Sequence, residues 1–284
     1  MTTYALTGAT GKLGAHAIAA LVALVGADHV VALARDPAKL ADWAAKGVTV
    51  RAADFDQPET LRAALAGVDR LLLISGNATG QRERQHGAVI DAARAAGVRL
   101  IVYTSIIHAP TNPIKLAGEH RATEALLAEA RIPHVIVRNG WYAENYTGQA
   151  AQALATGKLY GSAGEGRISG ATRADLGEGA AKVLVEAKGG EVYEFAADEA
   201  FTLPELAAEA ARLSGKPLDY VNLPQPEYAD ALRAAGLPGY IADMASDSSF
   251  QASNDALYEG GRQLSSVLGR PTTNWRQAVA EALG

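Results

Sequence analysis

The sequence predicts an α/β protein with a doubly wound parallel sheet, and three observations support this fold class. Short apolar stretches alternate with Ala-rich segments of helical spacing through the first half of the chain. Several of those segments carry residues typical of helix ends. Hydrophobic residues make up 49% of the 284 positions, which is enough to bury one large core. We therefore expect a single compact body that carries a smaller lobe.

Strands and helices are predicted to alternate regularly from the N-terminus to residue 138. Such alternation favours a parallel sheet with helices on both faces. The apolar stretches predict six strands, at Tyr4–Thr7, Val30–Ala34, Val48–Arg51, Arg70–Ile74, Leu100–Thr104 and His134–Arg138. The segments between them predict five helices, at Ala15–Val25, Pro37–Lys46, Glu59–Leu65, Gln85–Ala96 and Gly118–Ala130.

Residues at the ends of the predicted helices agree with this pattern. Asp36 followed by Pro37 is typical of an N-cap and a first helical residue, and Gln57 followed by Pro58 repeats the arrangement. Glycine often ends a helix because it adopts positive φ without strain. Three glycines lie where predicted helices should end, at Gly47, Gly67 and Gly97.

After residue 138 the pattern loosens into segments that contain glycine and proline. We predict a core formed by residues 1–138 with returning elements at about 171–200, and a substrate lobe formed by 139–170 and 201–284. The elements predicted in this half are a helix at about Arg173–Ala187, a strand at Val192–Ala196, and shorter helices around Leu203–Leu213 and Glu227–Ala235.

The charge and residue content exclude several classes of function. With 26 Lys and Arg against 31 Asp and Glu, the chain has no global positive field to attract nucleic acid or anionic membrane. The absence of cysteine excludes disulfides, thiolate nucleophiles and Cys-ligated metal centres. The six histidines are scattered without the spacing of metal ligands, so no metal is expected.

The N-terminus predicts no targeting segment. The apolar stretch at the N-terminus is too short for a signal peptide. No later apolar run approaches the roughly 20 residues that span a bilayer. We therefore expect a cytoplasmic protein without a membrane span. Because the chain has no cysteine, any redox chemistry must come from a dissociable cofactor.

A glycine-rich loop follows the first predicted strand and opens the first helix. Gly8 allows a sharp turn, Gly11 lets the backbone approach a pyrophosphate, and Gly14 lets helix and strand pack closely. The N-terminus of the following helix presents free N–H groups to an anion. A plain turn is the alternative, but the position at the first turn of a long βα series favours a Rossmann-type, dinucleotide-binding fold.

Residues after the next strands indicate which dinucleotide binds. An enzyme for NAD would carry an acid after the second strand, where this chain has Arg35, whose guanidinium suits a 2′-phosphate. Asp36 could still reach a ribose, although it also serves as the N-cap before Pro37. We therefore expect NADPH, with NADH possible.

Two further positions are predicted along the same cofactor. Asp54, after the third strand, can accept from the adenine amino group, with a turn or cap role as a nearly equal alternative. The segment Ser75-Gly76-Asn77 closes the fourth strand, where small residues let the backbone lie against the ribose and nicotinamide side.

Six parts of the chain carry a resemblance to known proteins: Thr7–Gly14, Arg35, Tyr103-Thr104-Ser105, Arg138–Asn145, Ala171–Asp175 and Gly269–Thr273. They resemble the NmrA-like branch of the atypical short-chain dehydrogenases and reductases, and in particular its bacterial members that reduce quinones. The Asn-Gly-Trp-Tyr segment is far more restrictive than the glycine loop, which many dinucleotide proteins share. The likeness covers nearly the whole chain.

The resemblance implies a flavin-independent enzyme, a monomer or homodimer, that transfers hydride from NADPH to a quinone-like acceptor. It equally allows an NADP-binding redox sensor without turnover, or a reductase of another flat aromatic acceptor such as an azo or triphenylmethane dye. The cofactor contacts that it implies are Gly8, Ala9, Thr10, Gly11, Lys12, Leu13, Arg35, Ser75, Gly76, Asn77, Asn139, Gly140, Trp141, Tyr142, Ala143 and Glu144.

The catalytic group is less clear from the sequence. None of the ten tyrosines has a lysine four residues later, so the usual Tyr and Lys acid pair is missing. Where related reductases carry a lysine, this chain has His120, which could donate a proton or merely pack on an exposed helix face. Tyr142 and Trp141 could form an apolar wall for the acceptor or belong to the core, and Asn139 could act as a donor beside them, as could Asn145.

Overall fold

The structure is a computed structural model, and it describes the whole chain from Met1 to Gly284. Its centre is a parallel sheet of seven strands in the order β3-β2-β1-β4-β5-β6-β8, while β7 and β9 form a separate parallel pair. The strands are β1 Tyr4–Leu6, β2 Val30–Ala34, β3 Thr49–Ala52, β4 Arg70–Leu73, β5 Leu100–Ile106, β6 His134–Asn139, β7 Lys158–Gly161, β8 Val192–Phe195 and β9 Asp219–Asn222.

Twelve α-helices surround these strands. A short 3₁₀ turn at Pro37–Leu40 precedes the second helix. The helices are α1 Lys12–Val25, α2 Ala41–Ala45, α3 Pro58–Ala64, α4 Arg82–Ala96, α5 Ala117–Ala130, α6 Ala143–Ala153, α7 Arg173–Glu186, α8 Leu203–Ser214, α9 Gln225–Ala234, α10 Gly239–Ala252, α11 Gln263–Leu268 and α12 Trp275–Leu283.

Helices cover both faces of the large sheet, so the predicted doubly wound fold is confirmed. All seven residues of β5 are buried, as expected of a strand that is covered on both sides. Along β6, Val135 and Val137 face the cluster formed with α1 and α7, whereas Ile136 faces the cluster formed with α3, α4 and α5. A third apolar cluster joins α6, α8, α10 and α12 in the C-terminal lobe.

The elements predicted from the sequence are present in the structure. The first six strands begin and end within two residues of their predicted bounds, and α1 and α4 begin three residues earlier than predicted. Asp36 caps the 3₁₀ turn, since its carboxylate accepts from the Ala38 N–H at 3.1 Å. Gln57 makes no such bond, although Pro58 does begin α3. Gly97 ends α4 in the left-handed region, at φ 75°.

The lobe contains six elements that the sequence patterns did not predict. They are short or weakly periodic, so contacts with other segments, and not local preference, select their conformation. Later in the chain, α7 packs on α1 and β8 pairs with β6 of the large sheet. The missed elements are α6, β7, β9, α10, α11 and α12.

The contact between α1 and α7 depends on a glycine. A Cβ added at Gly177 would lie 2.8 Å from the His16 Cβ and 2.9 Å from the Ala17 backbone nitrogen. Gly177→Ala should therefore force the helices apart and lower the free energy of unfolding by about 1–3 kcal/mol, measured by chemical denaturation. Gly148→Ala is the matched control, because Gly148 lies in α6 with open space around it. Equal stability of the two variants would contradict this account of the packing.

Candidate active site

A cavity of about 600 Å³ lies at the carboxyl ends of the central strands. In the sheet order, β1 has β2 on one side and β4 on the other, so the chain reverses direction across the sheet at this point. Ligands of open α/β sheets bind in the crevice at such a switch point. The lining comes from the loop after β1, the segments after β2, β3 and β4, and two residues from later in the chain, Tyr142 and Arg173.

The structure brings most of the predicted cofactor residues to this cavity. Six do not line it: Ala9 is a buried residue of the loop, Asn139 is the last residue of β6, and the other four follow β6. The residues that do line the cavity are Gly8, Thr10, Gly11, Lys12, Leu13, Arg35, Asp54, Ser75, Gly76, Asn77 and Tyr142. Those that do not are Ala9, Asn139, Gly140, Trp141, Ala143 and Glu144.

The glycine loop has the geometry of an anion cradle. Gly8 has a φ of +62°, which makes the sharp turn after β1. A Cβ on Gly14 would lie 2.1 Å from the Gly8 carbonyl oxygen, so only glycine allows this close approach of helix and loop. Gly11 precedes α1 without a side-chain cap, and the first turn of α1 carries no acidic residue. The positive end of α1 is thus available to a phosphate group.

A free cation lies at one end of the cavity. Arg35 follows β2, is exposed and lines the cavity. It forms none of the ion pairs of the structure, whereas the neighbouring Asp36 carboxylate is engaged with the Ala38 N–H. The guanidinium of Arg35 is therefore available to an anionic group of a ligand.

Asp54 has the turn role that was the alternative prediction. Its carboxylate accepts from the Asp56 N–H at 3.0 Å and from the Gln57 side-chain amide at 3.2 Å. These bonds close the turn before α3. Asp54 also lines the cavity, so its remaining acceptor capacity is still accessible to a ligand.

The segment after β6 contributes Tyr142 to the cavity and supports it from behind. The Arg173 guanidinium lies 4.4 Å from the centre of the Tyr142 ring and pairs with Glu144 at 3.2 Å. Burial raises the pKa of Tyr142, so its phenol stays neutral. Trp141 packs instead with the apolar cluster of the lobe, which was the alternative to a place in the wall. Asn145 does not line the cavity, and its side-chain oxygen accepts from Arg173 at 2.6 Å.

Asn139 is an unpaired buried amide at the end of β6. It is 4% exposed, and neither its Nδ2 nor its Oδ1 has a hydrogen-bond partner in the protein. An unsatisfied buried amide costs about 1–3 kcal/mol, and such groups usually have a reason. A ligand that supplies the missing partners at this edge of the sheet fits the observation.

His120 lies away from the cavity surface. It is 4% exposed on α5, and its Nδ1 lies 2.8 Å from the Tyr103 hydroxyl. The histidine is therefore not on an exposed helix face either. Burial lowers the pKa of His120 to about 3, so the imidazole is neutral near pH 7.

Some lining residues were not predicted. Arg82 and Gln85 come from the first turn of α4, Phe55 and Asp56 follow β3, and Arg173 begins α7. Helical periodicity placed α4 and α7 correctly, but no local pattern shows which of their residues reach a cavity formed by distant segments.

The structure contains no cluster of three or more His, Cys, Asp or Glu side chains that could hold a metal ion. None of its helices combines the length and apolar character needed to cross a bilayer.

Comparisons with known proteins agree with this geometry. A family model described as NAD(P)H-binding matches residues 8–187. Quinone oxidoreductase 2 of Escherichia coli is 48% identical over 277 residues, which are 97% of this chain and 97% of that protein. The crystal structure of an NADPH-dependent quinone oxidoreductase from E. coli, in complex with NADPH, matches with a TM-score of 0.97 at 47% identity and covers 99% of this chain and 100% of that chain.

A dye-reducing enzyme is similar as well. The crystal structure of Citrobacter sp. triphenylmethane reductase with NADP(H) matches with a TM-score of 0.94 at 32% identity, over 99% of this chain and 100% of that chain. The match to the family model spans more than half of the present chain, and the E. coli relative matches nearly all of it. From the cavity geometry and these comparisons together, the chain belongs to the NAD(P)H-binding, NmrA-like family of oxidoreductases.

Proposed function

We propose that this protein is an NADPH-dependent quinone oxidoreductase that transfers hydride directly, without a flavin. One observation carries the proposal: the chain is 48% identical to a quinone oxidoreductase over nearly its whole length. The cavity at the strand ends, lined by the glycine loop and Arg35, is consistent with it. When bound, NADPH supplies the hydride. The protein supplies binding, orientation and the walls of the site.

Different residues of the cavity bind different parts of NADPH. The glycine loop and the N-terminus of α1 hold the pyrophosphate, and Arg35 pairs with the 2′-phosphate, so NADPH binds more tightly than NADH. Asp54 and the segment Ser75–Asn77 line the rest of the path. Asn139 ends β6 on the nicotinamide side, but its unpaired amide is buried and does not line the cavity, so it contacts the nicotinamide only if the segment after β6 moves.

The acceptor site depends on positioning and not on a protein acid. The neutral ring of Tyr142 offers a flat wall, on which a quinone can be held against the nicotinamide. A quinone accepts hydride readily, so alignment of the two rings provides most of the acceleration. Hydride transfer leaves the hydroquinone monoanion, and the one proton that completes the hydroquinone comes from solvent, since His120 is buried and neutral.

His120→Ala should therefore keep its kcat within about threefold of the parent protein, with any loss mainly in KM. It should also leave the pH profile near neutrality unchanged, because the imidazole does not titrate there. Steady-state kinetics from pH 5 to 9 measure both quantities. Tyr103→Phe is the control, since it removes the same hydrogen bond and keeps the histidine. A loss of kcat of about 100-fold or more in a variant with normal NADPH affinity would identify His120 as the proton donor.

The proposed activity is tested by NADPH oxidation with a panel of quinones. Turnover that saturates with the quinone is expected. Intact NADP binding without turnover would instead favour a redox sensor. The panel should include azo and triphenylmethane dyes, because relatives of this chain reduce each class. One relative is the triphenylmethane reductase described above. The other is an azoreductase of Xenophilus azovorans, which is 28% identical over 89% of this chain and 90% of that protein. A dye with a higher kcat/KM than any quinone would move the acceptor class to dyes.

A further inference from the structure

We propose that Arg82 and His86 form a clamp on the backbone of Gly76 and position the wall of the cavity for the nicotinamide half of NADPH. The proposal rests on the proposed function and deepens it. Gly76 follows β4 and lines the cavity. Its N–H donates to the His86 Nε2 at 3.0 Å, and its carbonyl oxygen accepts from the Arg82 Nε at 2.6 Å. Both backbone polar groups of one cavity residue are thus held by two side chains from α4.

The imidazole of His86 has one possible hydrogen arrangement. Since Nε2 accepts from the Gly76 N–H, it carries no hydrogen, and Nδ1 must carry the ring hydrogen. Nδ1 then donates to the Thr123 hydroxyl at 2.9 Å, which donates in turn to the Glu119 carbonyl oxygen at 3.1 Å. His86 is 0% exposed, and burial lowers its pKa to about 4, which keeps the acceptor nitrogen free. The orientation of the ring is therefore determined by its partners.

The second side chain of the clamp ties the same segment to α5. The Arg82 guanidinium pairs with the Glu119 carboxylate at 3.3 Å, and the other oxygen of that carboxylate accepts from the Gly80 N–H at 2.6 Å. Arg82 itself is almost buried. The loop from Gly76 to Gly80 is thus attached at both ends to side chains of α4 and α5. Such attachment holds a binding wall in place before a ligand arrives.

The clamp lies on the nicotinamide side of the switch point. β1, with the glycine loop that holds the pyrophosphate, separates β2 and Arg35 from β4 and Gly76. The 2′-phosphate lies on the β2 side, so the nicotinamide half extends toward β4 and β6. Loosening Gly76 should therefore weaken contacts with the nicotinamide half and leave the adenosine half largely unaffected.

Binding of two ligands tests this assignment without any turnover. The dissociation constants of NADPH and of 2′,5′-ADP, which carries only the adenosine half, are measured for His86→Leu, His86→Gln and Arg82→Met. His86→Leu and Arg82→Met should weaken NADPH about tenfold and change 2′,5′-ADP by less than about twofold. His86→Gln should recover most of the affinity, because its amide oxygen can accept from the Gly76 N–H.

His134→Leu serves as the control, because this half-buried histidine lies at the start of β6, the strand end opposite the cavity. Its affinities should not change. If the His86 and Arg82 variants lose affinity equally for NADPH and for 2′,5′-ADP, the loss is a general structural one. If these variants bind NADPH as tightly as the parent protein does, Gly76 needs no clamp. Either result overturns the proposal. A parental protein that binds no NADPH would instead remove the proposed function, and the clamp with it.

Discussion

Gly11→Val should give a folded protein that binds both NADPH and NADH at least about 100-fold more weakly than the parent. A Cβ at Gly11 already lies 3.1 Å from the Gly8 carbonyl oxygen, and the two methyl groups of valine project farther into the loop. They occupy the space over the N-terminus of α1, where we propose that the pyrophosphate binds. Calorimetric titration measures the affinities, and thermal unfolding reports on the fold.

Gly148→Val is a matched control for Gly11→Val. Gly148 has open space around it and does not line the cavity, so valine there should leave both affinities unchanged. Parental cofactor affinity in a folded Gly11→Val protein would contradict the pyrophosphate site.

Arg35→Ala should weaken NADPH by about 1.5–3 kcal/mol, or roughly 10- to 150-fold, and leave NADH nearly unaffected. The side chain is exposed and forms no ion pair, so its removal leaves no buried charge and should not disturb the fold. Only the charge-assisted contact with the 2′-phosphate is lost. The measurement is the ratio of the two dissociation constants in parent and variant.

Two companion variants sharpen the Arg35 test. Lys39→Ala removes an exposed cation from the neighbouring 3₁₀ turn and should not change the ratio. Arg35→Lys keeps a charge without the planar fork and should give an intermediate ratio. Equal losses for NADPH and NADH in Arg35→Ala would rule out the 2′-phosphate assignment.

The core of the fold could be predicted because its signals are local. Strands buried on both faces appear as apolar runs, as in β2 and in the first four residues of β5. Asp36 and Gly97 mark element ends through bonds and backbone angles that depend only on near neighbours. The lobe is different: β7 and β9 have four residues each and pair only with each other, so neither has a signal of its own.

The residues of the site also fall into two groups, those that local signals predict and those that only the packing of helices places. Gly8, Arg35 and Asn77 follow strand ends closely, so a predicted strand suffices to place them at the cavity. Arg82 and Arg173 reach it from helices, and that depends on how α4 and α7 pack. His120 shows the converse, because the sequence placed it on a helix but could not show that this position faces Tyr103 in the interior.

Direct hydride transfer from NADPH to a quinone is tested most directly by single-turnover kinetics. The NADPH is deuterated at the position that is transferred. The purified protein, shown by absorbance to contain no flavin, is mixed with NADPH and then with excess quinone. We expect NADPH to be oxidised in a single phase. The rate of that phase should differ from one quinone to another and should fall when the NADPH is deuterated. A protein that oxidises NADPH only after flavin is added, or a rate that is the same for every quinone, would contradict direct hydride transfer.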